Sequence, residues 1–184
     1  MAFAVWITGL PGSGKSTIAK ELSSLLGKVE YLRLDEIRKK YVSQPKFTDD
    51  ERNMVYGRFI GDAASLVDKG MNVILDATAY RLAWRQEARK AIRDFIEVYV
   101  SCPVGHCMDR ESQRKEGLVT SELYRKALER KRTGRQFEGL GEVVGVDVEF
   151  EVNMNAEVKV DSSVLEPEEA ARVIYDEIKK RGWI

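Results

Sequence analysis

The sequence has little cysteine and histidine: two cysteines, Cys102 and Cys107, and one histidine, His106. Their spacing matches neither a zinc site nor a redox pair, and one histidine cannot complete a metal cluster. We expect both thiols to be buried structural groups, one at a strand end and one on the helix that follows. These scarcities argue against zinc chemistry and thiol redox chemistry.

Net charge and long apolar runs are also missing. The 30 basic and 30 acidic residues cancel, so no overall field attracts nucleic acid or an anionic membrane. A dedicated nucleic-acid binder is therefore disfavoured, although a local basic patch could still exist. No run of about 18 apolar residues is present, and the N-terminus lacks the charged-then-apolar layout of a signal peptide. We expect a cytoplasmic protein with no membrane partner.

Short apolar runs alternate with amphipathic stretches along the chain. The runs typical of buried strands occupy residues 3–8, 29–34, 71–76, 95–102 and 157–160. Between them, Thr48 and Glu51 form a capping-box signature that predicts a long helix ending near Lys69. The alternation predicts one α/β domain over residues 1–184, a three-layer fold with a five-stranded parallel sheet and helices on both faces. Ligands bind such sheets at the carboxyl ends of the strands.

The most specific motif is the glycine loop in ITGLPGSGKST, residues 7–17. Glycines let successive backbone N–H groups point at phosphate oxygens, while Lys15 supplies a charge to the β- and γ-phosphates and Ser16 a magnesium ligand. A buried strand precedes the loop and an amphipathic helix follows it, which is the context that this motif requires. The loop predicts ATP binding through Gly9, Gly12, Ser13, Gly14, Lys15, Ser16 and Thr17.

Two carboxylates follow strands at the same predicted edge of the sheet. Asp76 closes the run VILD, a form that holds Mg²⁺ together with the loop hydroxyl of Ser16. Asp35 closes YLRLD and would orient the acceptor hydroxyl and take its proton, with Arg38 binding an anionic substrate. The alternative for Asp35 is a helix N-cap, a role that Asp fills well. Lys15 and Asp35 are thus the predicted catalytic residues.

Two arginine clusters follow later strands. Residues 110–135 are arginine-rich, and small kinases place there a lid that closes over the phosphates and excludes water. Arg110 is the predicted nucleotide contact within it. The second cluster lies at residues 80–85, where Arg81 and Arg85 are one helical turn apart. They would either hold an anionic substrate or form a solvated face beside a packed tryptophan.

With these residues in place, the sequence resembles the adenylylsulfate kinases, which transfer the γ-phosphate of ATP to the 3′-hydroxyl of adenylylsulfate. The segments that carry the likeness are WITGLPGSGKSTIA, LRLDEIR, FTDDER (47–52), ELYRKA (122–127) and FEGLG (137–141). The resemblance implies that Asp35 faces the acceptor and that Arg38, Phe47 and Phe137 line its pocket, with Arg81 a further candidate. It also implies a homodimer.

The departures from that family lie on the acceptor side. Arg33 stands where the family has the first Asp of Leu-Asp-Gly-Asp, and Val55 and Gly57 stand where it has Asn-x-Arg. DATAYR replaces the family's Ser-Phe-Ile-Ser-Pro-Tyr-Arg, and looks more like the wider group of P-loop kinases that includes polynucleotide and tRNA-directed kinases. A site that loses buried polar contacts loses discrimination between substrates.

Together, these features predict a magnesium-dependent kinase, a transferase that moves the γ-phosphate of ATP to a hydroxyl, with adenylylsulfate as the first acceptor. Two alternatives stay open. One is a P-loop kinase for an RNA 5′-end, a tRNA-linked group or a small hydroxylated metabolite, and a salt-sensitive affinity for RNA would favour the nucleic-acid acceptors. The other is a nucleotide-binding module without catalysis, which tight ATP binding without any phosphorylated product would favour.

Overall fold

Five parallel strands form the centre of the protein in the computed structural model, which describes residues 2–45, 47–113 and 122–184. The strands are β1 (Ala4–Thr8), β2 (Glu30–Arg33), β3 (Val73–Asp76), β4 (Phe95–Ser101) and β5 (Val158–Asp161). They pair in the order β2-β3-β1-β4-β5, and every pair is parallel. The predicted five-stranded parallel sheet is confirmed.

The helices begin and end at local signals in the sequence. They are α1 (Lys15–Leu26), α2 (Leu34–Tyr41), α3 (Asp49–Asp68), α4 (Leu82–Ala91), α5 (Val104–Ser112), α6 (Leu123–Thr133) and α7 (Pro167–Lys180). The Thr48 side chain accepts a hydrogen bond from the Glu51 N–H at the start of α3, as the capping box predicts. None of the described helices combines the length and the apolar composition that crossing a membrane requires.

Alternate residues of β1 point to opposite faces of the sheet and into two separate apolar clusters. Ala4 and Trp6 pack with α3 and α4 on one face. Val5 and Ile7 pack with α1 and α7 on the other. The sheet is therefore covered on both faces, which confirms the three-layer prediction and explains why its strands are nearly continuous apolar runs.

The segment predicted as an arginine-rich lid falls partly outside the described residues, because 114–121 are not among them. Its flanks are α5 and α6, which pack with the loop after α6 in a third apolar cluster. Tyr124 of α6 donates a hydrogen bond of 2.7 Å to the Pro11 carbonyl, so this cluster contacts the glycine loop. The lid itself remains a prediction.

Both cysteines are free thiols. Cys107 is buried on α5 as expected, and burial raises the pKa of its thiol to about 12, so the group stays neutral at physiological pH. Cys102, just after β4, is only half-buried, which corrects the expectation for that residue. Both residues belong to the third apolar cluster, together with Leu10 of the glycine loop.

Candidate active site

The carboxyl ends of β1, β2 and β3 meet at one edge of the sheet, and the loops after them enclose a cavity of about 180 Å³. In the strand register, Asp76 is the partner of both Ile7 and Arg33. The cavity brings together seven of the predicted site residues: Gly12, Lys15, Ser16, Asp35, Arg38, Phe47 and Asp76.

The glycine loop lies against backbone on its far side, so two of its glycines have no room for a side chain. A Cβ atom at Gly12 would lie 2.3 Å from the Cys107 carbonyl oxygen, and one at Gly9 would lie 2.4 Å from the Val100 carbonyl oxygen. Gly12 also adopts a φ of 79°, which favours glycine. A side chain at either position would therefore force the loop out of this conformation.

Lys15 begins α1 and lies at the mouth of the loop with only 8% of its surface exposed. Its Nζ atom donates a hydrogen bond of 2.7 Å to the Leu10 carbonyl. The positive end of the α1 dipole lies at the same place. The charge of Lys15 and the N-terminus of α1 therefore both lie where the sequence predicts the phosphates of ATP.

Asp76 is held by two side chains of β2 that the sequence analysis did not single out as partners. Its Oδ2 atom accepts a hydrogen bond of 2.7 Å from the Tyr31 hydroxyl, and Arg33 Nε lies 3.9 Å from the same oxygen. Burial and the Asp76 charge raise the pKa of Tyr31, so its hydroxyl stays protonated and donates.

Asp35 lies in the first turn of α2 and its side chain is open to the cavity. The N-cap alternative is wrong, because α2 begins at Leu34 and its cap position is Arg33. Desolvation by the surrounding protein raises the pKa of the Asp35 carboxyl, and the charge of Asp76 raises it further, against the opposing charge of Lys15. A carboxylate with a raised pKa that faces a cavity is a candidate general base.

Arg38 and Phe47 form the wall opposite the glycine loop. The Arg38 guanidinium lies over the Phe47 ring, 5.1 Å from its centroid. Its Nη1 atom is buried, lies 3.6 Å from Glu51 Oε1 and makes no hydrogen bond within the described part of the chain. A buried guanidinium N–H that makes no hydrogen bond is costly, so this atom is available to an anionic ligand.

The backbone of Phe47 is held in a left-handed conformation, with a φ of 57°. Its carbonyl accepts a hydrogen bond of 3.1 Å from Arg52, which also donates to the Glu142 carbonyl. Arg52 therefore links the loop before α3, which contains Phe47, to the loop after α6, which contains Glu142. It is a functional candidate that the sequence analysis missed, although it lies in the FTDDER segment.

Arg110 lies on the other side of the glycine loop. Its Nη2 atom donates a hydrogen bond of 2.7 Å to the Ser162 carbonyl, and its Nη1 atom donates one of 3.1 Å to the Ser162 hydroxyl. With Gly14 and Thr17, it lines a second cavity of about 240 Å³ next to the loop. This position suits a nucleotide contact, as the sequence analysis predicts.

Two predicted acceptor residues lie elsewhere. Arg81 Nη2 is 2.7 Å from the carboxylate of Asp49 at the start of α3, and its guanidinium lies over the Tyr80 ring. Phe137 packs in the third apolar cluster, with Arg135 over its ring. Within the described residues, neither side chain belongs to the wall of the main cavity.

Arg85 fits neither of the two predicted alternatives, substrate contact or solvated face. It is fully buried, and its Nε atom donates a hydrogen bond of 2.8 Å to Glu97 on β4. Its two terminal nitrogens donate to the carbonyls of Ala79 and Glu151. Arg85 therefore clamps the loop after β3, whose residues Ala77 and Thr78 line the cavity.

Comparison with known proteins agrees with this geometry. A family model described as Adenylylsulphate kinase matches residues 1–161. A probable adenylyl-sulfate kinase from Archaeoglobus fulgidus is 35% identical over 166 residues, covering 88% of this chain and 97% of that protein. A probable adenylyl-sulfate kinase from Pyrococcus abyssi is 32% identical over 186 residues, covering 99% and 98% of the two chains.

Solved structures point the same way. The structure of a Mycobacterium tuberculosis APS kinase in complex with AMPPNP and APS has a TM-score of 0.80 at 27% identity, covering 97% of this chain and 98% of that one. A sugar kinase from Janibacter has a TM-score of 0.67 at 17% identity, with 97% and 95% covered, and this likeness concerns the fold alone.

Proposed function

The chain belongs to the adenylylsulphate kinase family of ATP-dependent phosphotransferases, and on that basis we propose that it phosphorylates the 3′-hydroxyl of adenylylsulfate. The observation that carries this proposal is the position of Asp35. Its carboxylate lies in one cavity between the phosphate loop and the pair formed by Arg38 and Phe47. A base between a phosphate donor site and an anion-binding wall is the arrangement that phosphoryl transfer to a hydroxyl needs.

On the donor side, the glycine loop and Lys15 would bind the phosphates of ATP, while Arg110 would contact its nucleoside end. Ser16 and Asp76 fit Mg²⁺, which is held in kinases by one or two protein oxygens together with phosphates and water. No group of three or more His, Cys, Asp and Glu that could hold a metal occurs among the described residues. When bound, Mg²⁺ supplies charge neutralisation at the β- and γ-phosphates.

On the acceptor side, Asp35 would accept the hydrogen bond of the acceptor hydroxyl, orient it and take its proton as the phosphoryl group arrives. The Nη1 atom of Arg38, which makes no hydrogen bond to a described residue, would bind the anionic part of the acceptor. The Phe47 ring would provide an aromatic surface for the adenine base of the acceptor. Arg81 and Phe137 are weaker candidates, because neither lines the main cavity among the described residues.

A kinase for another hydroxyl is the second candidate function, and one observation favours it. Val55 is buried in the core of the sheet face, and Gly57 faces open space. Neither can replace the polar Asn and Arg of the family pattern. A steady-state ADP-release assay would compare adenylylsulfate with RNA 5′-ends, tRNA and small hydroxylated metabolites, with the product confirmed by mass. Turnover of another acceptor alone would overturn the proposal, and ATP binding without any product would indicate a non-catalytic module.

Lys15 provides the direct test of the donor site. In Lys15→Ala, kcat/KM should fall by about 10²- to 10³-fold, because the removed charge stabilises the phosphates most strongly in the transition state. The matched control is Lys20→Ala, an exposed lysine on the same helix, which should retain full activity. ADP release measures both variants, and full turnover in Lys15→Ala would exclude the proposed role.

Gly141 provides a test of the acceptor wall. A Cβ atom there would lie 2.6 Å from the Cβ of Phe47, so Gly141→Ala must displace the ring. We expect KM for the acceptor to rise about 10-fold, because small displacements of positioning groups are costly, while KM for ATP stays unchanged. Gly61→Ala is the control, since nothing lies within 4 Å of an added Cβ on that helix position. An equal rise in both KM values would contradict this assignment.

A further inference from the structure

Tyr31 and Arg33 of β2 have no place in the donor or acceptor roles described above, yet both reach Asp76. We propose that they are positioning residues that hold the Oδ2 atom of Asp76, so that the carboxylate presents its Oδ1 atom to the cation that accompanies ATP. This inference deepens the proposed function and rests on it only for the role of Asp76 as a cation ligand.

The strand register brings the three side chains together. Tyr31 and Arg33 are two positions apart and therefore lie on the same face of β2. In the parallel pairing of β2 with β3, Arg33 is directly opposite Asp76, and Tyr31 is opposite Ile74. Tyr31 is thus the diagonal neighbour of Asp76, a distance that a long aromatic side chain spans.

Tyr31 and Arg33 interact with Asp76 in different ways. Tyr31 makes the directional bond, 2.7 Å from its hydroxyl to Asp76 Oδ2. Arg33 supplies charge from 3.9 Å, while its Nη1 atom is held by Glu36 at 2.8 Å. Its Nε atom is buried and makes no hydrogen bond to a described residue. Among the described residues, Asp76 accepts a side-chain hydrogen bond on Oδ2 and none on Oδ1, so Oδ1 is the oxygen that faces a ligand.

Tyr31 acts directly on one predicted cation ligand. Its hydroxyl donates to Asp76 Oδ2 and fixes that carboxylate at the end of β3. Groups that orient metal ligands in this way affect metal affinity about 10- to 100-fold when they are removed.

The charges at the two strand ends are complementary. Arg33 and Asp76 are direct partners across β2 and β3, and Arg33 Nε lies 3.9 Å from Asp76 Oδ2. A basic side chain therefore faces the carboxylate at the end of β3.

Tyr31→Phe tests the inference through binding rather than turnover. Isothermal titration calorimetry would measure the dissociation constant for ATP in Mg²⁺ and in EDTA. The readout is the ratio of the constant in EDTA to the constant in Mg²⁺. We expect this ratio to fall about 10-fold in Tyr31→Phe, with the constant in EDTA unchanged. Tyr41→Phe is the matched control, because it removes a tyrosine–aspartate hydrogen bond to Asp62 on an exposed surface, and its ratio should equal that of the wild type.

Arg33 gives an independent second variant. Arg33→Met should lower the same ratio, and Arg33→Lys should restore part of it by returning the charge. An unchanged ratio in both Tyr31→Phe and Arg33→Met would overturn the inference. An equal loss of ATP affinity with and without Mg²⁺ would also overturn it, because this pattern would mean that the two residues only support the glycine loop. No acceptor is needed, so inactivity toward adenylylsulfate leaves the result interpretable.

Discussion

Asp35→Asn should lower kcat by about 10³-fold, the range of a general base, while KM for ATP stays within about twofold. Asparagine keeps the size of the side chain but cannot take the proton of the acceptor hydroxyl. Steady-state ADP release with saturating Mg-ATP and adenylylsulfate measures the effect. A variant that retains more than about a tenth of the wild-type kcat would remove Asp35 from the role of base.

The pH dependence gives a second readout of Asp35. Its pKa is raised above the ordinary value by desolvation and by the Asp76 charge, and it acts as a base only when ionised. In the wild type, kcat should therefore fall as the pH drops through this raised pKa. The acidic limb should be absent from the residual activity of Asp35→Asn. An unaltered limb would assign the titration to another group.

The stability of Asp35→Asn shows whether its loss of activity comes from the missing general base or from unfolding. Because the folded protein raises the pKa of Asp35, the folded state binds the proton more tightly than the unfolded chain does. Ionised Asp35 therefore contributes unfavourably to folding above its unfolded pKa, and this penalty is relieved when the pH falls below it. At neutral pH, Asp35→Asn should be at least as stable as the wild type, which urea denaturation would check.

Arg85→Met should lower the free energy of unfolding by about 3–5 kcal/mol, the cost of leaving one member of a buried ion pair without its partner. Arg85 and Glu97 are 0% and 1% exposed, respectively, with 2.8 Å between their bonded atoms. Methionine keeps the length of the side chain but leaves Glu97 and the Ala79 and Glu151 carbonyls short of donors. Urea denaturation followed by circular dichroism measures the change.

Arg125→Met is the matched control for Arg85. Arg125 also pairs with two glutamates, but it is 55% exposed on α6, so its loss should leave the free energy of unfolding almost unchanged. The double variant Arg85→Met/Glu97→Met should be less destabilised than the sum of its single variants, because it removes both buried charges. Additive effects would show that the pair does not act as a unit.

Some features of this protein follow from short stretches of sequence. The glycine loop, the strands and the start of α3 depend on residues within a few positions of one another. Gly12 tolerates the φ that the loop needs, and Thr48 accepts the Glu51 N–H wherever the rest of the chain lies. Apolar periodicity also indicates which elements are covered, so the parallel sheet and the edge of the site are predictable.

Other features depend on partners that are far away in the sequence. Arg85 and Arg81 have the same residue type and lie one helical turn apart, yet one is buried and the other is half-exposed. The difference comes from Glu97, which reaches Arg85 only after β4 pairs in the sheet. Periodicity cannot reveal this, because an arginine reads as a surface residue until its buried counter-charge is located.

The sequence by itself determined the fold class, the phosphate loop and the carboxylates at the strand ends, because these follow from local periodicity and backbone geometry. Only the tertiary structure decided that Asp35 is a cavity carboxylate rather than a helix cap, and that Tyr31 and Arg33 hold Asp76. These depend on strand register, which sets Arg33 opposite Asp76 across 43 residues of chain. A hydrogen bond between side chains requires that register, and the register arises only when the whole sheet assembles.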